Sequence, residues 1–209
     1  MLVKICGMTE QPLIDRAAAL GADMCGFIFH EPSPRNIAPA QAAALDTHGM
    51  ARVGVFVRQS VEEVRAAVAE ARLDFIQLHG GQTAAFAAQF PAEKVIRVLW
   101  PPKYLSLEAL QADIDAFADT CGLYLLDAGM GSGMTLDWPS LSGLRFPHPW
   151  MLSGGLGPDN ITEALAACMP DAIDLNSRLE SEPGRKDPEL MERLMEALAG
   201  RPRKPAVGA

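Results

Sequence analysis

The chain has 209 residues, of which 49% are hydrophobic and 21% are charged, a composition that excludes wholesale disorder. No stretch of the sequence reaches the roughly 20 apolar residues that a membrane-spanning helix needs. The formal net charge of −8 argues against a broad surface for nucleic acid or anionic lipid, although a few backbone N–H groups suffice to bind one phosphate group.

Eight short apolar runs, most of them rich in β-branched or aromatic residues, recur along the chain at intervals of roughly 20–30 residues. Each run is too short for a typical helix, and most have the pattern of a strand that is buried on both faces. The predicted strands are Leu2–Cys6, Met24–Phe29, Arg52–Val57, Phe75–His79, Lys94–Trp100, Leu123–Asp127, Trp150–Ser153 and Ala172–Asn176.

Helical patterns fill most of the gaps between these runs. Ser60 and Glu63 have the spacing of a capping box, and Pro188 suits a first helical turn because its missing N–H would have no partner there. The predicted helices are Gln11–Leu20, Val61–Ala71, Ile161–Cys168 and Pro188–Ala199, with a weaker pattern over Ser106–Ala118.

The alternation of strand and helix predicts parallel strands that are joined by crossover helices. Eight such units favour an α/β fold with a single closed (β/α)8 TIM barrel, and a doubly wound open sheet is the alternative. We expect one catalytic domain over residues 1–200 and a flexible tail, rich in proline and basic residues, over 201–209. In a barrel, functional residues are expected at the C-terminal ends of the strands.

The first predicted strand ends in a cysteine. Side-chain alternation places Lys4 and Cys6 on one face, and the charge of Lys4 indicates that this face points into the barrel, with Cys6 at its mouth. A thiol there is a candidate base or nucleophile if a cation lowers its pKa, whereas a small core residue is the alternative. The remaining cysteines, Cys25, Cys121 and Cys168, form no CxxC pair, so no zinc ribbon, redox dithiol or disulfide framework is expected.

Two other strands end in polar residues. Gln77 and His79 share one face of the fourth strand, where His79 suits a structural role as well as a substrate contact. The sixth strand ends in Asp127, a carboxylate that is costly to bury unless it is paired or functional. The loop after it contains Gly131 and Gly133, whose backbone can approach a ligand closely. The four histidines do not cluster, so we predict no metal site.

The loops after the seventh and eighth strands predict a phosphate site. Ser153, Gly154 and Gly155 begin the first of these loops, and Asn176 and Ser177 begin the second. Many barrels hold a phosphate at this place, because the N–H groups of the loops and of a helix N-terminus converge there. A tight turn with a helix cap is the alternative.

A series of motifs runs through the chain in order. They are Lys4-Ile5-Cys6-Gly7-Met8-Thr9, Ser33-Pro34-Arg35, Gln77-Leu78-His79-Gly80, Asp127 with its glycine loop, Asp137-Trp138, Ser153-Gly154-Gly155-Leu156, and Asn176-Ser177 through Glu180, Pro183-Gly184 and Lys186-Asp187. From about residue 3 to residue 187, this series resembles the phosphoribosylanthranilate isomerase family. Arg178 and Met130 depart from the small residues that are usual in that family.

The resemblance implies an isomerase of tryptophan biosynthesis that converts N-(5-phosphoribosyl)anthranilate into 1-(o-carboxyphenylamino)-1-deoxyribulose 5-phosphate by an Amadori rearrangement. It implies that Cys6 is the general base, that Asp127 is the general acid and that Arg35 pairs with the anthranilate carboxylate. The remaining site residues are implied to contact the substrate, and no metal or organic cofactor is implied. We expect a small phosphorylated substrate as partner, no nucleic acid and no membrane, and a monomer or homodimer in the cytoplasm, since no signal-peptide pattern follows Met1.

Three other functions are alternatives that the residues disfavour. The histidine-pathway ProFAR isomerase resembles a two-aspartate design, whereas the first strand here ends in Cys6. A metal-dependent pentose-phosphate epimerase would need clustered histidines. A non-catalytic phosphosugar-binding barrel would not need both a candidate acid and a candidate base.

Overall fold

Eight parallel strands close into a barrel in which each strand pairs with the next and the last pairs with the first. The computed structural model describes residues 1–129 and 135–201. The strands are β1 Leu2–Cys6, β2 Met24–Phe29, β3 Ala51–Phe56, β4 Phe75–Leu78, β5 Val95–Leu99, β6 Leu123–Leu126, β7 Trp150–Leu152 and β8 Ala172–Leu175. The predicted closed (β/α)8 barrel is therefore confirmed, and the open sheet is not.

Seven α-helices lie between or after the strands in the two described ranges. They are α1 Gln11–Ala19, α2 Pro39–Ala44, α3 Val61–Glu70, α4 Ala84–Ala87, α5 Leu107–Ala116, α6 Ile161–Cys168 and α7 Pro188–Ala197. Short 3₁₀ segments cover Ala92–Lys94, Pro101–Lys103, Trp138–Gly143 and Ser177–Leu179. No helix in these two ranges has the length and apolar character of a bilayer span.

The helix starts that the sequence predicts at Ser60 and Pro188 are present, and both are capped. The backbone N–H of Ser60 donates to Glu63 Oε2 at 2.7 Å, and the backbone N–H of Glu63 donates to Ser60 Oγ at 3.2 Å, which is a capping box. At the start of α7, Asp187 Oδ1 accepts a hydrogen bond from the Glu189 N–H at 2.9 Å, and Pro188 occupies the first turn.

Side-chain alternation along the strands divides the core into two layers. Val3 and Ile5 of β1 pack outward against the helices, in the larger hydrophobic cluster. Leu2 points inward and packs with the apolar residues that fill the lower barrel, such as Val53 and Ile96. Lys4 lies above Leu2 on this inner face and is fully buried. The interior is thus apolar at the N-terminal end of the strands and polar toward the C-terminal end.

A small antiparallel hairpin follows the last barrel strand and was not predicted. It consists of β9 Glu180–Glu182 and β10 Arg185–Lys186. Gly184 in its turn has φ +89°, and a Cβ there would lie 2.6 Å from the carbonyl oxygen of Pro34. The turn therefore packs directly on the loop that follows β2.

The expected flexible tail, 201–209, lies outside the described residues except for Arg201. The single domain over 1–200 stays a prediction.

Candidate active site

A cavity of about 300 Å³ opens at the C-terminal ends of the strands. Every predicted site residue in the described ranges lines it: Cys6, Arg35, Gln77, His79, Asp127, Ser153, Gly154, Gly155, Asn176 and Ser177. Gly131 and Gly133, which were predicted to contact substrate, lie outside the described residues, as does Met130.

The floor of the cavity is a buried ion pair. Nζ of Lys4 on β1 lies 2.8 Å from Oδ1 of Asp174 on β8, and both side chains are almost inaccessible to solvent. The two residues are direct partners in the β1–β8 register, so barrel closure itself brings the charges together. Asp174 raises the pKa of Lys4, and the lysine is therefore an ammonium that lies beside Cys6.

Cys6 is 3% exposed and ends β1 above this pair. Burial raises the pKa of the Cys6 thiol, while the positive charges of Lys4 and, more weakly, Lys186 oppose that rise. The condition set from the sequence, that a cation lowers the pKa of this thiol, is met only in part, because Lys4 lowers the pKa but burial raises it more. In the free protein Cys6 is therefore a thiol, and its thiolate form is more basic than that of an exposed cysteine.

His79 and Asp127 lie side by side in the cavity wall. His79 Nε2 lies 3.7 Å from Asp127 Oδ2, and burial lowers the pKa of His79 to about 4. Gln77 Nε2 lies 3.4 Å from His79 Nδ1. With the Gln77 amide donating to Nδ1, the neutral imidazole carries its proton on Nε2, toward the carboxyl group.

Gln77 also offers an acceptor to a ligand. Its Oε1 is buried and has no hydrogen-bond partner among the residues that the structure describes. A buried acceptor without a partner is unfavourable, and a ligand donor such as a hydroxyl group in the cavity would remove that cost.

The loop after β7 has a fixed shape. Gly154 has φ +89°, and a Cβ there would lie 2.5 Å from the Cβ of Ala128, so only glycine fits. Asn160 holds the loop from the other side, since its Oδ1 accepts from the Gly157 N–H at 2.9 Å and its Nδ2 donates to the Gly155 carbonyl at 2.8 Å. In residues 1–129 and 135–201 the N–H groups of Gly154 and Gly155 have no acceptor, and they remain available to a phosphate.

The loop that follows β8 lies beside the loop that follows β7, because the two strands are neighbours in the barrel. Arg178 is exposed, and its Cβ packs over Gly157, where an added Cβ would lie only 2.8 Å away.

Arg35 reaches the rim of the cavity, where its guanidinium group is already paired with a carboxylate of the protein. Its Nε and Nη2 donate to the two carboxylate oxygens of Glu180, at 2.7 and 2.6 Å. The same carboxylate accepts from Nζ of Lys186 at 2.6 Å, and this lysine also donates to Asn176 Oδ1 at 2.7 Å. Glu180 and Lys186 belong to the motifs given above, but no sequence pattern marks them as residues of the site.

No group of three or more histidine, cysteine, aspartate or glutamate side chains is arranged to hold a metal ion within the described ranges.

Comparison with known proteins supports one family. The family model for N-(5'-phosphoribosyl)anthranilate (PRA) isomerase matches residues 3–197. The N-(5'-phosphoribosyl)anthranilate isomerase of Desulfovibrio desulfuricans is 50% identical over 202 residues, which cover 95% of this chain and 94% of that protein.

Solved structures of the same family are similar to this chain. The phosphoribosyl anthranilate isomerase of Thermus thermophilus is 35% identical with a TM-score of 0.81, and the match covers 95% of this chain and 98% of that one. A phosphoribosyl anthranilate isomerase in complex with reduced 1-(o-carboxyphenylamino)-1-deoxyribulose 5-phosphate is 27% identical with a TM-score of 0.78, over 96% of this chain and 100% of that one.

Proposed function

The chain belongs to the N-(5'-phosphoribosyl)anthranilate isomerase family, enzymes of tryptophan biosynthesis, and we propose that its cavity performs the Amadori rearrangement with Cys6 as general base and Asp127 as general acid. One observation carries the two roles. Cys6 at the end of β1 and Asp127 just after β6 line the same cavity, although their strands are not neighbours in the barrel. An acid and a base on separate sides of one small sugar are what an aldose–ketose isomerisation requires.

Asp127 acts first in this mechanism. It protonates the ribose ring oxygen, the C1′–O bond breaks, and the ring opens to a Schiff base between C1′ and the anthranilate nitrogen. The neutral His79 beside it presents a polarised N–H, which stabilises the carboxylate that is left after proton transfer.

Cys6 acts second. The active form is the thiolate, which forms when the thiol gives its proton to solvent. The thiolate removes the proton from C2′, the electrons move into the C1′–C2′ bond and onto the nitrogen, and the resulting enol-amine tautomerises to the ketone. Lys4 stabilises the thiolate charge from below, and the raised pKa of the thiol makes the thiolate a strong base.

The remaining residues bind the substrate. The N–H groups of Gly154 and Gly155, with the β8 loop of Asn176 and Ser177, hold the phosphate group. Arg35 pairs with the anthranilate carboxylate, and Gln77 Oε1 accepts from a sugar hydroxyl. The cytoplasmic location and the monomeric or homodimeric state remain predictions.

The test is the loss of phosphoribosylanthranilate fluorescence during turnover by purified protein. Cys6→Ala and Asp127→Asn should each lower kcat by about 10²–10⁴-fold, because each removes a positioned proton-transfer group. Cys25→Ala is the matched control, since this cysteine is as buried as Cys6 but packs outward, against the helices. Near-native kcat in either active-site variant would remove the role that we assign to that residue.

A further inference from the structure

The carboxylate of Glu180 joins two cations at the mouth of the cavity. Its two oxygens accept from Nε and Nη2 of Arg35, at 2.7 and 2.6 Å, and Oε1 also accepts from Nζ of Lys186 at 2.6 Å. The side chains of Glu180, Arg35 and Lys186 are 3%, 12% and 1% exposed, so solvent screens these contacts weakly.

These contacts decide which edge of the Arg35 guanidinium faces the cavity. A guanidinium group has two edges that can bind a carboxylate, one formed by Nε and Nη2 and the other by Nη1 and Nη2. Glu180 occupies the first edge, whereas Nη1 donates to no acceptor in the part of the chain that the structure describes. Because Arg35 lines the cavity, the second edge is the one that is left for a ligand.

Lys186 and Glu180, which hold Arg35, are themselves held by further hydrogen bonds. Lys186 donates to the carbonyl and side-chain oxygens of Asn176, at 3.2 and 2.7 Å, at the end of β8. The Gly184 N–H donates to Glu180 Oε2 at 3.3 Å, and the same glycine packs on the carbonyl of Pro34, next to Arg35. The hairpin after β8 and the loop after β2 are therefore fastened together.

The cluster contains two cations and one anion. Burial lowers the pKa of Lys186, and the carboxylate of Glu180 opposes that shift. A ligand carboxylate at the free edge of Arg35 would supply the second negative charge, whereas a neutral group in its place would not. The preference for an acidic ligand thus has an electrostatic origin as well as a geometric one.

We propose that Glu180 and Lys186 are positioning residues that fix the free edge of Arg35 and thereby make the site selective for a substrate whose aromatic ring carries a carboxylate. This inference rests on the proposed function, because it deepens the role that we give Arg35 there.

The test compares two stable ligands by titration calorimetry with the full-length protein. They are reduced 1-(o-carboxyphenylamino)-1-deoxyribulose 5-phosphate and the same compound without its carboxyl group. The ratio of their dissociation constants measures carboxylate recognition, since the phosphate contributes to both.

The variants separate positioning from charge. Glu180→Gln/Lys186→Met removes one negative and one positive charge, so the net charge of the cluster is unchanged while the anchor of Arg35 is lost. Arg35→Ala removes the contact itself. Glu182→Gln is the control on the same hairpin, because its side chain is 65% exposed.

We expect the ratio to fall about tenfold or more in the double variant, while the ligand without a carboxyl group binds within about twofold of its native affinity. In turnover, the same variant should raise KM more than it lowers kcat. A ratio within about threefold of native in the double variant, together with loss of the ratio in Arg35→Ala, overturns the positioning role and leaves the proposed function standing.

An unchanged ratio in Arg35→Ala overturns the Arg35 contact and with it this inference, while turnover of the substrate still decides the reaction independently. If the double variant does not fold, Glu180→Asp replaces it as the test. This substitution keeps the negative charge but shortens the side chain by one methylene, which moves the carboxylate away from Arg35. That variant should lower the ratio severalfold, and a native ratio contradicts the proposal.

Discussion

Cys6 and Gly26 are direct partners in the register of β1 and β2, and the thiol occupies the space that a side chain at Gly26 would fill. A Cβ at this position would lie 2.8 Å from Cys6 Sγ and 3.0 Å from Cys6 Cα. Because Cys6 is buried and its Cα belongs to a strand that is paired on both sides in the closed barrel, the conflict has no easy relief.

Gly26→Ala is therefore expected to displace the thiol from its working position. Overpacking of this kind destabilises a protein by about 1–3 kcal/mol, and we expect kcat to fall about tenfold or more while KM changes little. Gly143→Ala is the control, because among the described residues its added methyl meets the flexible end of Leu107 and no backbone atom. Native kcat in Gly26→Ala, measured alongside thermal unfolding, would show that the exact position of the thiol is unimportant.

The buried pair of Lys4 and Asp174 is expected to set the pH dependence of turnover. Lys4 lowers the pKa of Cys6 more than Asp174 raises it, so Lys4→Met/Asp174→Asn should raise the thiol pKa further. Since the base that we propose is the Cys6 thiolate, the rise of kcat/KM with pH should move to higher pH by about one unit.

The double variant is preferred to Lys4→Met alone, because removing one partner leaves an uncompensated buried charge that costs about 3–5 kcal/mol. Lys94→Met, at an exposed position, should leave the profile in place. An unmoved profile in the double variant would mean that the pair does not govern the thiol.

His79 is expected to make the protein less stable in weak acid. Its pKa in the folded protein is about 4, below the value of about 6.5 in an unfolded chain, so the unfolded chain binds the extra proton between these two values. The stability contributed by the neutral imidazole is complete above pH 6.5 and is lost as pH falls toward 4.

With 19% of this side chain exposed, we expect a loss of about 1–2 kcal/mol between pH 7.5 and pH 5. His79→Asn should remove this part of the pH dependence, as measured by urea unfolding at both values. His30→Asn, at another position on the cavity wall, serves as the comparison. Equal losses in the native protein and in His79→Asn would count against a depressed pKa.

Asn160 is expected to preserve the shape of the loop after β7, which we propose binds the phosphate group. Asn160→Ala removes both of its hydrogen bonds to the loop and should raise KM, and the inhibition constant of inorganic phosphate, about tenfold. Asp159→Ala changes the adjacent, largely exposed residue, whose carboxylate pairs with Arg193 and not with the loop, and should leave both constants near native. If phosphate inhibits Asn160→Ala as strongly as the native protein, the loop does not hold the phosphate.

The sequence predicts the barrel well because its strands are buried on both faces, so that each one is a compact apolar run. Even there the ends shift, as at β3, where the predicted Arg52–Val57 is observed as Ala51–Phe56. The helices α2 and α4 escaped prediction because six and four residues are too few to show a helical period. The connection after β6 shows no α-helix in its described part, only the 3₁₀ segment Trp138–Gly143.

The candidate site was predictable only in part. Strand ends identify Cys6 and Asp127, since alternation tells which side chains face the interior. Glu180 and Lys186 could not be recognised in the same way, because their hairpin is short and charged and reads as an exposed loop. Their burial comes from tertiary contacts with Arg35, 145 residues earlier than Glu180, which no local pattern records.

The pairing of Lys4 with Asp174 joins residues that are 170 positions apart in the chain. Because a chain is synthesised from its N-terminal side, Cys6 and Lys4 are made well before the aspartate that pairs with Lys4. A nascent chain that lacks β8 therefore has a thiol and an ammonium without their pocket, at an unpaired strand edge. The proton transfer that we propose for Cys6 therefore needs the ring that β8 closes, and we expect a chain that is truncated before Asp174 to lack this activity.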